Sequence, residues 1–477
     1  MIQKFIRRVL RLGPRSEPEM VPRKKHGIAR ESISSGARRV CEALQQEGFQ
    51  AYVVGGAVRD LLLGLRPKDF DVATDALPEE VHRLFRRSRL IGRRFTIVHV
   101  MFGADTVEVS TFRAGSAPVI EEEAVEPGDE APLPEPPRRE GRRVRKGLNV
   151  RGRMVDEHGR VTRDNVYGNR VQDAARRDFT VNALYYDPSS ETILDFHHGL
   201  RDLKKRSVRI IGDAHERFRE DPVRMLRAVR FAAKLGFVLD ERTRAPLREL
   251  AGLIENIPPA RVFDEMQKLL LSGRALACVH QLRIEGLHRG VLPMLDVILE
   301  QPMGERFVNL ALEQTDERVR SGRPVSPAFL FAALLWHEVL AAWKKAEREG
   351  ARPVPALHQA MDSVLDIQTG KLAIARRLTA VMKEIWLMQP RFEQRSGKRP
   401  FALLTQERFR AAWDFLALRA ASGEVPQALA DWWEKFQRSG DAERNAMLVA
   451  APAGERAPRR RRRRPRSATL AANGNPP

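Results

Sequence analysis

The chain has 477 residues, of which 43% are hydrophobic, and this is enough for roughly two to four globular domains. Its two cysteines, Cys41 and Cys278, exclude a disulfide framework and indicate a reducing compartment, the cytoplasm. The formal net charge is +21, and about +13 remains without the eight arginines between Arg456 and Arg466. Such a basic chain favours a polyanionic partner, most simply nucleic acid, with a membrane surface as the alternative.

The first 28 residues are basic and are interrupted by Pro14, Pro18 and Pro22, so we expect a flexible extension. Apolar residues recur at helical spacing between basic ones in residues 2–11, which would also permit weak membrane association. No apolar run in the sequence approaches the ~18 to 20 residues that are needed to span a bilayer.

The sequence from Val53 to Asp71 reads VVGGAVRDLLLGLRPKDFD, a strand-like run followed by a glycine pair and a short helix. A glycine pair lets the backbone approach a phosphate, and a helix N-terminus favours an anion, so Gly55 and Gly56 are candidate phosphate-binding residues. Asp69 and Asp71 would project from one face of an extended strand. Paired carboxylates repel unless a cation lies between them, and oxygen ligands suit Mg²⁺. We therefore expect a nucleoside triphosphate site with one or two Mg²⁺ ions; the alternative is an ordinary turn and solvated acids.

Two β-like runs follow at 95–102 and 106–112, and in the second run valines alternate with polar residues. Glu108 lies on the polar face of that run. It is either an exposed strand residue or a third acid that completes the metal-binding set of Asp69 and Asp71. Residues 115–160 are acidic and proline-rich and then strongly basic, which predicts a flexible insertion or a loop that orders on substrate.

The stretch RRDFTVNALYY begins at Arg176 and mixes charged and apolar residues densely. Arg176 and Arg177 could contact a triphosphate, and Asp178 could contact a metal, a sugar or an arginine. A surface ion-pair cluster at the start of a strand is the alternative.

A helix is predicted from Asp221 to Leu235, because acidic residues and a proline stand at its start. Arginines recur every three residues along it. Asp221 either caps this helix or pairs with Arg224 one turn later, which would make a donor and acceptor edge that can read a base.

From Pro259 to Trp433 the pattern is almost entirely amphipathic helix, and beyond Gly440 the sequence becomes low in complexity. A run of six arginines predicts a disordered, RNA-binding tail. These arginines are Arg459, Arg460, Arg461, Arg462, Arg463 and Arg464.

Three separated motifs, GGAVRD with DFD, RRDFTVNAL and EDPVRMLRAVRFAAKLG, together resemble the class II template-independent RNA nucleotidyltransferases. That family includes tRNA CCA-adding enzymes and bacterial poly(A) polymerases. The resemblance is strong over residues 51–237 and weaker over the helical remainder. LIGRRF at 90–95, HVMFG after it and the arginine-rich tail are more similar to the poly(A) polymerase branch. The insertion at 115–160 is longer and more acidic than that branch usually carries.

The resemblance implies an α+β fold in which a nucleotidyltransferase head with a small mixed sheet of five strands precedes all-helical regions. The expected parts are the extension at 1–28, a head at 29–200, a helical neck with the base-recognition helix at 201–275, a helical RNA-binding body at 276–438 and the disordered tail at 439–477.

The resemblance also implies a mechanism. Asp69 and Asp71 would bind two Mg²⁺ ions, or Mn²⁺, with Asp178 or Glu108 as the further acid, for in-line attack of an RNA 3′-hydroxyl on the α-phosphorus of ATP. Family practice favours Asp178, whereas strand geometry favours Glu108. Asp221 and Arg224 would face the incoming base. The remaining nucleotide-binding residues would be Gly55, Gly56, Arg59, Arg176, Arg177, Arg227 and Arg230.

The leading expectation is a monomeric enzyme that adds AMP from ATP to the 3′ ends of mRNA, small RNA or tRNA precursors and so promotes RNA turnover. RNA-chaperone or degradation-machinery proteins are candidate partners. The alternatives are tRNA CCA addition and a catalytically silent RNA-binding protein. The sequence does not show how adenine would be preferred over cytosine.

Overall fold

The computed structural model describes residues 17–92, 96–103, 105–114, 166–292 and 301–450, together with the backbone of 153–155 and 161–164. The chain divides into two compact units. The first comprises 1–296, 315–324 and 367–373, and the second comprises 297–314, 325–366 and 374–477. The predicted insertion lies largely outside the described residues, as do residues 1–16 and the tail arginines. No helix in the described ranges is both long and apolar enough to cross a membrane.

Eight strands of the first unit form one mixed sheet in the order β1-β10-β9-β2-β3-β6-β5-β4. Only β3 and β6 run parallel among these neighbours. β7 pairs with β8, and β11 pairs with β12. The strands are β1 Glu19–Pro22, β2 Ala51–Val54, β3 Asp71–Thr74, β4 Ser88–Ile91, β5 Ile97–Phe102, β6 Asp105–Thr111, β7 Arg153–Val155, β8 Val161–Asp164, β9 Leu184–Asp187, β10 Thr192–Asp195, β11 Ser207–Val208 and β12 Val238–Leu239.

The central strands β2 and β6 differ in their burial. β2 is buried along its whole length, as its apolar sequence predicts for a strand with neighbours on both sides. β6 alternates, because Val107, Val109 and Thr111 are buried whereas Glu108 is exposed. The period of two therefore directs the valines to the core and Glu108 to the opposite face.

The helices of the first unit cover this sheet and continue beyond it. Helix α2 packs on β2, β3 and β6 through buried residues at helical spacing, and the Ser34 side chain caps it by accepting from the Ala37 amide. The helices are α1 Arg23–His26, α2 Ser35–Gln46, α3 Gly56–Leu62, α4 Pro78–Leu84, α5 Arg170–Arg176, α6 Gly199–Lys204, α7 Ala214–Glu220, α8 Val223–Leu235, α9 Glu241–Arg244, α10 Leu247–Leu250, α11 Pro259–Leu270 and α12 Ala275–Ile284.

The rest of the described chain is helical, and its aromatic residues are mostly core. Trp336, Trp386 and Trp433 are fully buried, and Phe392, Phe409 and Phe436 pack in the same apolar cluster as Trp433. The helices are α13 Pro302–Arg320, α14 Pro327–Arg348, α15 Pro353–Thr369, α16 Arg376–Met388, α17 Arg399–Leu404, α18 Phe409–Ser422, α19 Gln427–Arg438 and α20 Asp441–Ala446.

The predicted α+β class is confirmed, but several details differ. The sheet has eight strands and not five. The flexible extension predicted at 1–28 is wrong for Glu19–His26, because β1 pairs with β10 and Val21 is buried. The disordered tail predicted from residue 439 is wrong for its first residues, because Asp441–Ala446 is helical and packs through Arg444 onto the end of α19.

Candidate active site

Two acids predicted to be neighbours are indeed adjacent in the sheet. In the parallel pairing of β3 with β6, Asp71 stands directly opposite Glu108. Directly opposed residues project from the same face of a sheet. Burial and the negative charges of Glu108 and Asp69 raise the pKa of Asp71 to about 6, against the lowering effect of Arg177. The structure therefore brings Asp69, Asp71 and Glu108 together and places Arg177 beside them.

The Asp69 and Asp71 pair is arranged differently from the prediction. β3 begins at Asp71, and Asp69 lies in the irregular loop before it, so the two do not share a strand. Both residues lie at the surface, although the surrounding protein atoms still partly desolvate the Asp71 carboxylate. The described side chains form no group of three or more His, Cys, Asp or Glu that is arranged to hold a metal ion. The donor chemistry nevertheless fits Mg²⁺, because burial and the two carboxylates of Glu108 and Asp69 raise the pKa of Asp71, and oxygen ligands suit a hard cation.

His99 is a neighbour of these acids that sequence reasoning missed. It stands opposite Glu108 in the pairing of β5 with β6, and its Nε2 lies 3.7 Å from Glu108 Oε2. The signal in the sequence was its place on a strand of alternating burial that precedes the Glu108 strand.

The glycine turn meets Arg177. Gly55 has φ +74° and ψ −131°, a conformation that only glycine adopts readily, and its amide donates to the Leu184 carbonyl. A Cβ at Gly55 would lie 3.3 Å from Arg177 Nη1. Arg177 is held in place by the Tyr185 hydroxyl at 2.9 Å and by Asp173 at 3.2 Å. Burial disfavours its charge, but Tyr185 and Asp173 outweigh burial and raise its pKa.

Arg59 has a different environment from the predicted one. It is only 3% exposed, and its guanidinium donates to Asp60 and, at 2.6 Å, to the Asn182 side chain. Its guanidinium carbon also lies 5.2 Å from the centre of the Phe231 ring. As placed, Arg59 supports the glycine turn from inside the fold.

Asp178 faces α8 and not the three acids. Its carboxylate accepts two hydrogen bonds from Arg227, at 2.6 and 2.8 Å, and a third from Asn182 at 3.1 Å. Burial opposes its ionisation, but Arg227 and the hydrogen bonds outweigh burial and hold the pKa of Asp178 below its usual value. Asn182 accepts from Arg59 and donates to Asp178, so it links the glycine turn to α8.

The predicted pair between the Asp221 and Arg224 side chains is wrong. Asp221 has extended backbone at the end of α7, and Pro222 separates it from α8, so the spacing of a continuous helix does not apply. Asp221 Oδ2 accepts from Arg261 at 3.0 Å, and Arg224 donates to Glu220 at 2.6 Å. Asp221 Oδ1 is buried and has no hydrogen-bond partner among the described residues.

The last two arginines of α8 share one acid. Glu265 on α11 is 3% exposed, pairs with Arg230 Nε, and lies 3.9 Å from Arg227 Nη1. The guanidinium carbons of Arg230 and Arg227 lie 4.4 and 5.4 Å from the Phe231 ring centre. Sequence reasoning missed Glu265, although a glutamate at i+3 in the apolar row that begins at Val262 was a usable signal.

The remaining predicted residues are placed as follows. Gly56 begins α3, and the backbone carbonyls of Arg176 and Arg177 both accept from Arg217 at 2.8 Å. The six tail arginines lie outside the described residues. The site is thus built from the first unit alone, from β3, β6, the glycine turn, α8 and α11.

Three parts of the chain match families of known proteins. Residues 51–209 match the poly A polymerase head domain, residues 236–299 match the probable RNA and SrmB-binding site of polymerase A, and residues 349–467 match the polymerase A arginine-rich C-terminus. A structure of the Bacillus stearothermophilus CCA-adding enzyme in complex with CTP is 26% identical, with a TM-score of 0.53, and covers 85% of this chain and 82% of that one.

Fold and sequence together define a nucleotidyltransferase. Poly(A) polymerase I of Salmonella typhi is 42% identical over 453 residues, which are 94% of this chain and 91% of the relative. Poly(A) polymerase I of Haemophilus influenzae is 40% identical over 95% of both chains. A Streptococcus pneumoniae CCA-adding enzyme is 34% identical over 67% of this chain and 69% of its own length. The chain belongs to the bacterial poly(A) polymerase I family.

Proposed function

We propose that this protein adds AMP from ATP to RNA 3′ ends without a template. The observation that carries this proposal is the extent of the similarity. It covers 94% of the chain at 42% identity for a poly(A) polymerase, but 67% at 34% identity for a CCA-adding enzyme. In the reaction the RNA 3′-hydroxyl oxygen forms a bond to the α-phosphorus of ATP, and the bond to the departing pyrophosphate breaks.

In this proposal Asp69, Asp71 and Glu108 hold the Mg²⁺ ions, for which Mn²⁺ could substitute. When bound, the ions would favour ionisation of the 3′-hydroxyl and neutralise the triphosphate. Glu108 is preferred to Asp178 as the third acid because it stands opposite Asp71, whereas the carboxylate of Asp178 is occupied by Arg227.

Arg177 is the residue best placed to contact the triphosphate. It lies beside both the glycine turn and Asp71, and its charge is secured by Tyr185 and Asp173. A fixed guanidinium can stabilise the negative charge that develops on the departing pyrophosphate. Gly55 leaves room for this contact, since a side chain there would meet the guanidinium.

The base would be read at the start of α8. The Asp221 side chain is partly exposed and one of its carboxylate oxygens has no partner in the described chain, so an amino group of an incoming base could donate to this carboxylate. Arg261 and Glu220 orient Asp221 and Arg224 for this role. Asp178 and Glu265 hold Arg227 and Arg230 as positioning residues.

A nucleotide-incorporation assay tests the proposal. The purified protein is incubated with a generic RNA or with tRNA lacking CCA, and with one nucleoside triphosphate at a time. We expect long tails with ATP on either RNA. Incorporation of C residues from CTP, on the tRNA alone, would instead show CCA addition. RNA binding without incorporation of any nucleotide would show a catalytically silent RNA-binding protein.

The cellular setting forms part of the proposal. Both cysteines are free and buried, which suits the cytoplasm. Addition of single-stranded tails to mRNA, small RNA and tRNA precursors would give degrading enzymes a place to start, and so promote RNA turnover. Pull-down of RNA-chaperone or degradation-machinery proteins with the full chain would identify its partners, and its sedimentation would test the expected monomer.

A further inference from the structure

A basic groove lies beside the candidate active site in the first unit, between α8, α11 and the loop that carries Asp69. Its volume is about 490 Å³. Four cationic and one acidic side chain line it, and Gln267, Leu271 and Ser272 complete the wall. The charged residues are Lys68, Arg230, Lys234, Lys268 and Asp264.

Most of the positive charge in this groove is not neutralised. Arg230 pairs with Glu265, but Lys68, Lys234 and Lys268 form no ion pair with any residue in the described ranges. Burial and the nearby charges of Arg59, Arg230 and Lys68 lower the pKa of Lys234, although Asp60 opposes the shift. An anion placed among these groups would relieve their mutual repulsion.

The position of the groove indicates which anion it takes. Lys68 directly precedes Asp69, so one end of the groove adjoins the acids at which the RNA 3′ end would react. The opposite wall is α11, where Asp264, Gln267 and Lys268 lie on one face of the helix because they are three and four residues apart. In the proposed function, Arg177 and the glycine turn already provide for the triphosphate. A chain of phosphates that leads away from the reacting end fits this groove better than a single nucleotide does.

We propose that the groove lined by Lys68, Lys234 and Lys268 holds backbone phosphates of the RNA strand that is being extended. The proposal rests on the proposed function in that the strand is the substrate. The lysines contact phosphates and not base edges, so the groove accepts any sequence, including the growing tail itself.

The test compares Lys68→Gln/Lys268→Gln with the wild type. Both side chains are exposed, so the fold tolerates the change. Lys204→Gln/Lys205→Gln removes the same charge from exposed positions outside the groove and serves as the control. The affinity for a single-stranded RNA is measured without ATP from about 50 to 200 mM salt. Since each phosphate contact contributes a slope of about 0.7 for single strands, the double variant should lose about 1.4 from the slope of log affinity against log salt. Across that fourfold range of salt, the affinity of the double variant for RNA should therefore fall about sevenfold less than the affinity of the wild type.

The kinetic arm distinguishes the two sources of phosphate. We expect a higher KM for RNA with an unchanged KM for ATP and an unchanged kcat. A raised KM for ATP with an unchanged salt slope would assign the groove to the triphosphate and overturn the proposal. So would a slope equal to that of the control variant. The binding arm needs no turnover, so a protein that binds RNA through the groove but incorporates no nucleotide would refute the proposed function alone.

Discussion

Asp71 is a carboxylate that the folded, metal-free protein makes unusually reluctant to ionise. Its pKa is raised from 3.8 to about 6, first by burial and then by Glu108. The unfolded chain releases this proton at lower pH than the folded protein does. Stability therefore falls as pH rises from about 4 to 6, and the full penalty remains above pH 6.

Asp71→Asn removes this penalty. We expect the metal-free variant to be more stable than the wild type at pH 7.5. The gain should be only about 1 kcal/mol, because solvent partly screens this carboxylate. Below about pH 4 the two proteins should have equal stability. Urea unfolding in the presence of a chelator measures the difference at both pH values. Asp105→Asn, at the exposed start of β6, is the control and should change neither value. Equal stability of Asp71→Asn and the wild type at pH 7.5 would contradict the raised pKa.

Glu108 and Asp178 are distinguished by which kinetic constant each controls. Glu108→Gln should lower kcat about 100-fold or more, because a metal ligand stabilises charge in the transition state. Asp178→Asn should act mainly on nucleotide binding and raise the KM for ATP roughly tenfold, since it releases Arg227. Steady-state kinetics with varied Mg²⁺ concentration shows which of the two carboxylates binds the metal. If Asp178→Asn alone raised the Mg²⁺ requirement, Asp178 would be the third acid.

At the scale of elements, the glycine turn brings the backbone of Gly55 close to the guanidinium of Arg177. Gly55→Ala would force alanine into a φ of +74° and place its Cβ 3.3 Å from the Arg177 guanidinium. We expect kcat/KM to fall roughly tenfold because the Arg177 guanidinium is displaced. Backbone strain should in addition lower the free energy of unfolding by about 1 to 3 kcal/mol. Gly64→Ala separates the two effects, because Gly64 has φ +70° but no atom within 4 Å of the added Cβ. Equal activities of the two variants would show that the turn does not adjoin the phosphates.

The contact of α8 with α11 orders two arginines through one acid. Glu265→Gln should raise the KM for ATP more than it lowers kcat, because Arg227 and Arg230 would lose the charge that fixes them. We expect a roughly tenfold to 100-fold effect, since hydrogen bonds to charged groups are worth about 1.5 to 3 kcal/mol. Glu249→Gln changes an exposed glutamate of the same unit and should leave both constants unchanged. A larger change in kcat than in KM would place Glu265 in the chemical step.

The elements that the sequence predicted well are those with local causes. Ala51–Val54 is a strand because four apolar residues precede a glycine, and α8 begins at a proline. β1 and the pairing of Asp221 with Arg261 depend on partners far away in the chain, β10 and α11. Short-range patterns carry no information on such partners. The apolar row of α11 could indicate that Glu265 is buried, but not that its partners are the arginines of α8.

At the scale of the whole molecule, much of the positive charge lies outside the groove, in the arginine-rich tail. Replacement of the eight arginines between Arg456 and Arg466 by glutamine would leave a net charge of about +13. We expect weaker RNA binding and a smaller salt slope, by about 0.7 for each phosphate that the tail no longer neutralises. The slope from filter binding at several salt concentrations measures this. A scrambled tail of the same composition should behave like the wild type, because counterion release depends on charge and not on order. An unaltered slope in the glutamine variant would show that the tail does not touch RNA.

The bond between Glu265 and the α8 arginines has a consequence for synthesis. A growing chain contains the three acids and α8 before α11 has left the ribosome, because synthesis runs from the N-terminus. Until then Arg227 has Asp178 as its partner, but Arg230 lacks the carboxylate that balances it, and an unpaired buried charge opposes closure of the fold. A nascent or prematurely terminated chain thus carries the three acids but not the fully ordered arginines of α8. We therefore expect nucleotide incorporation only after more than half of the chain has been made.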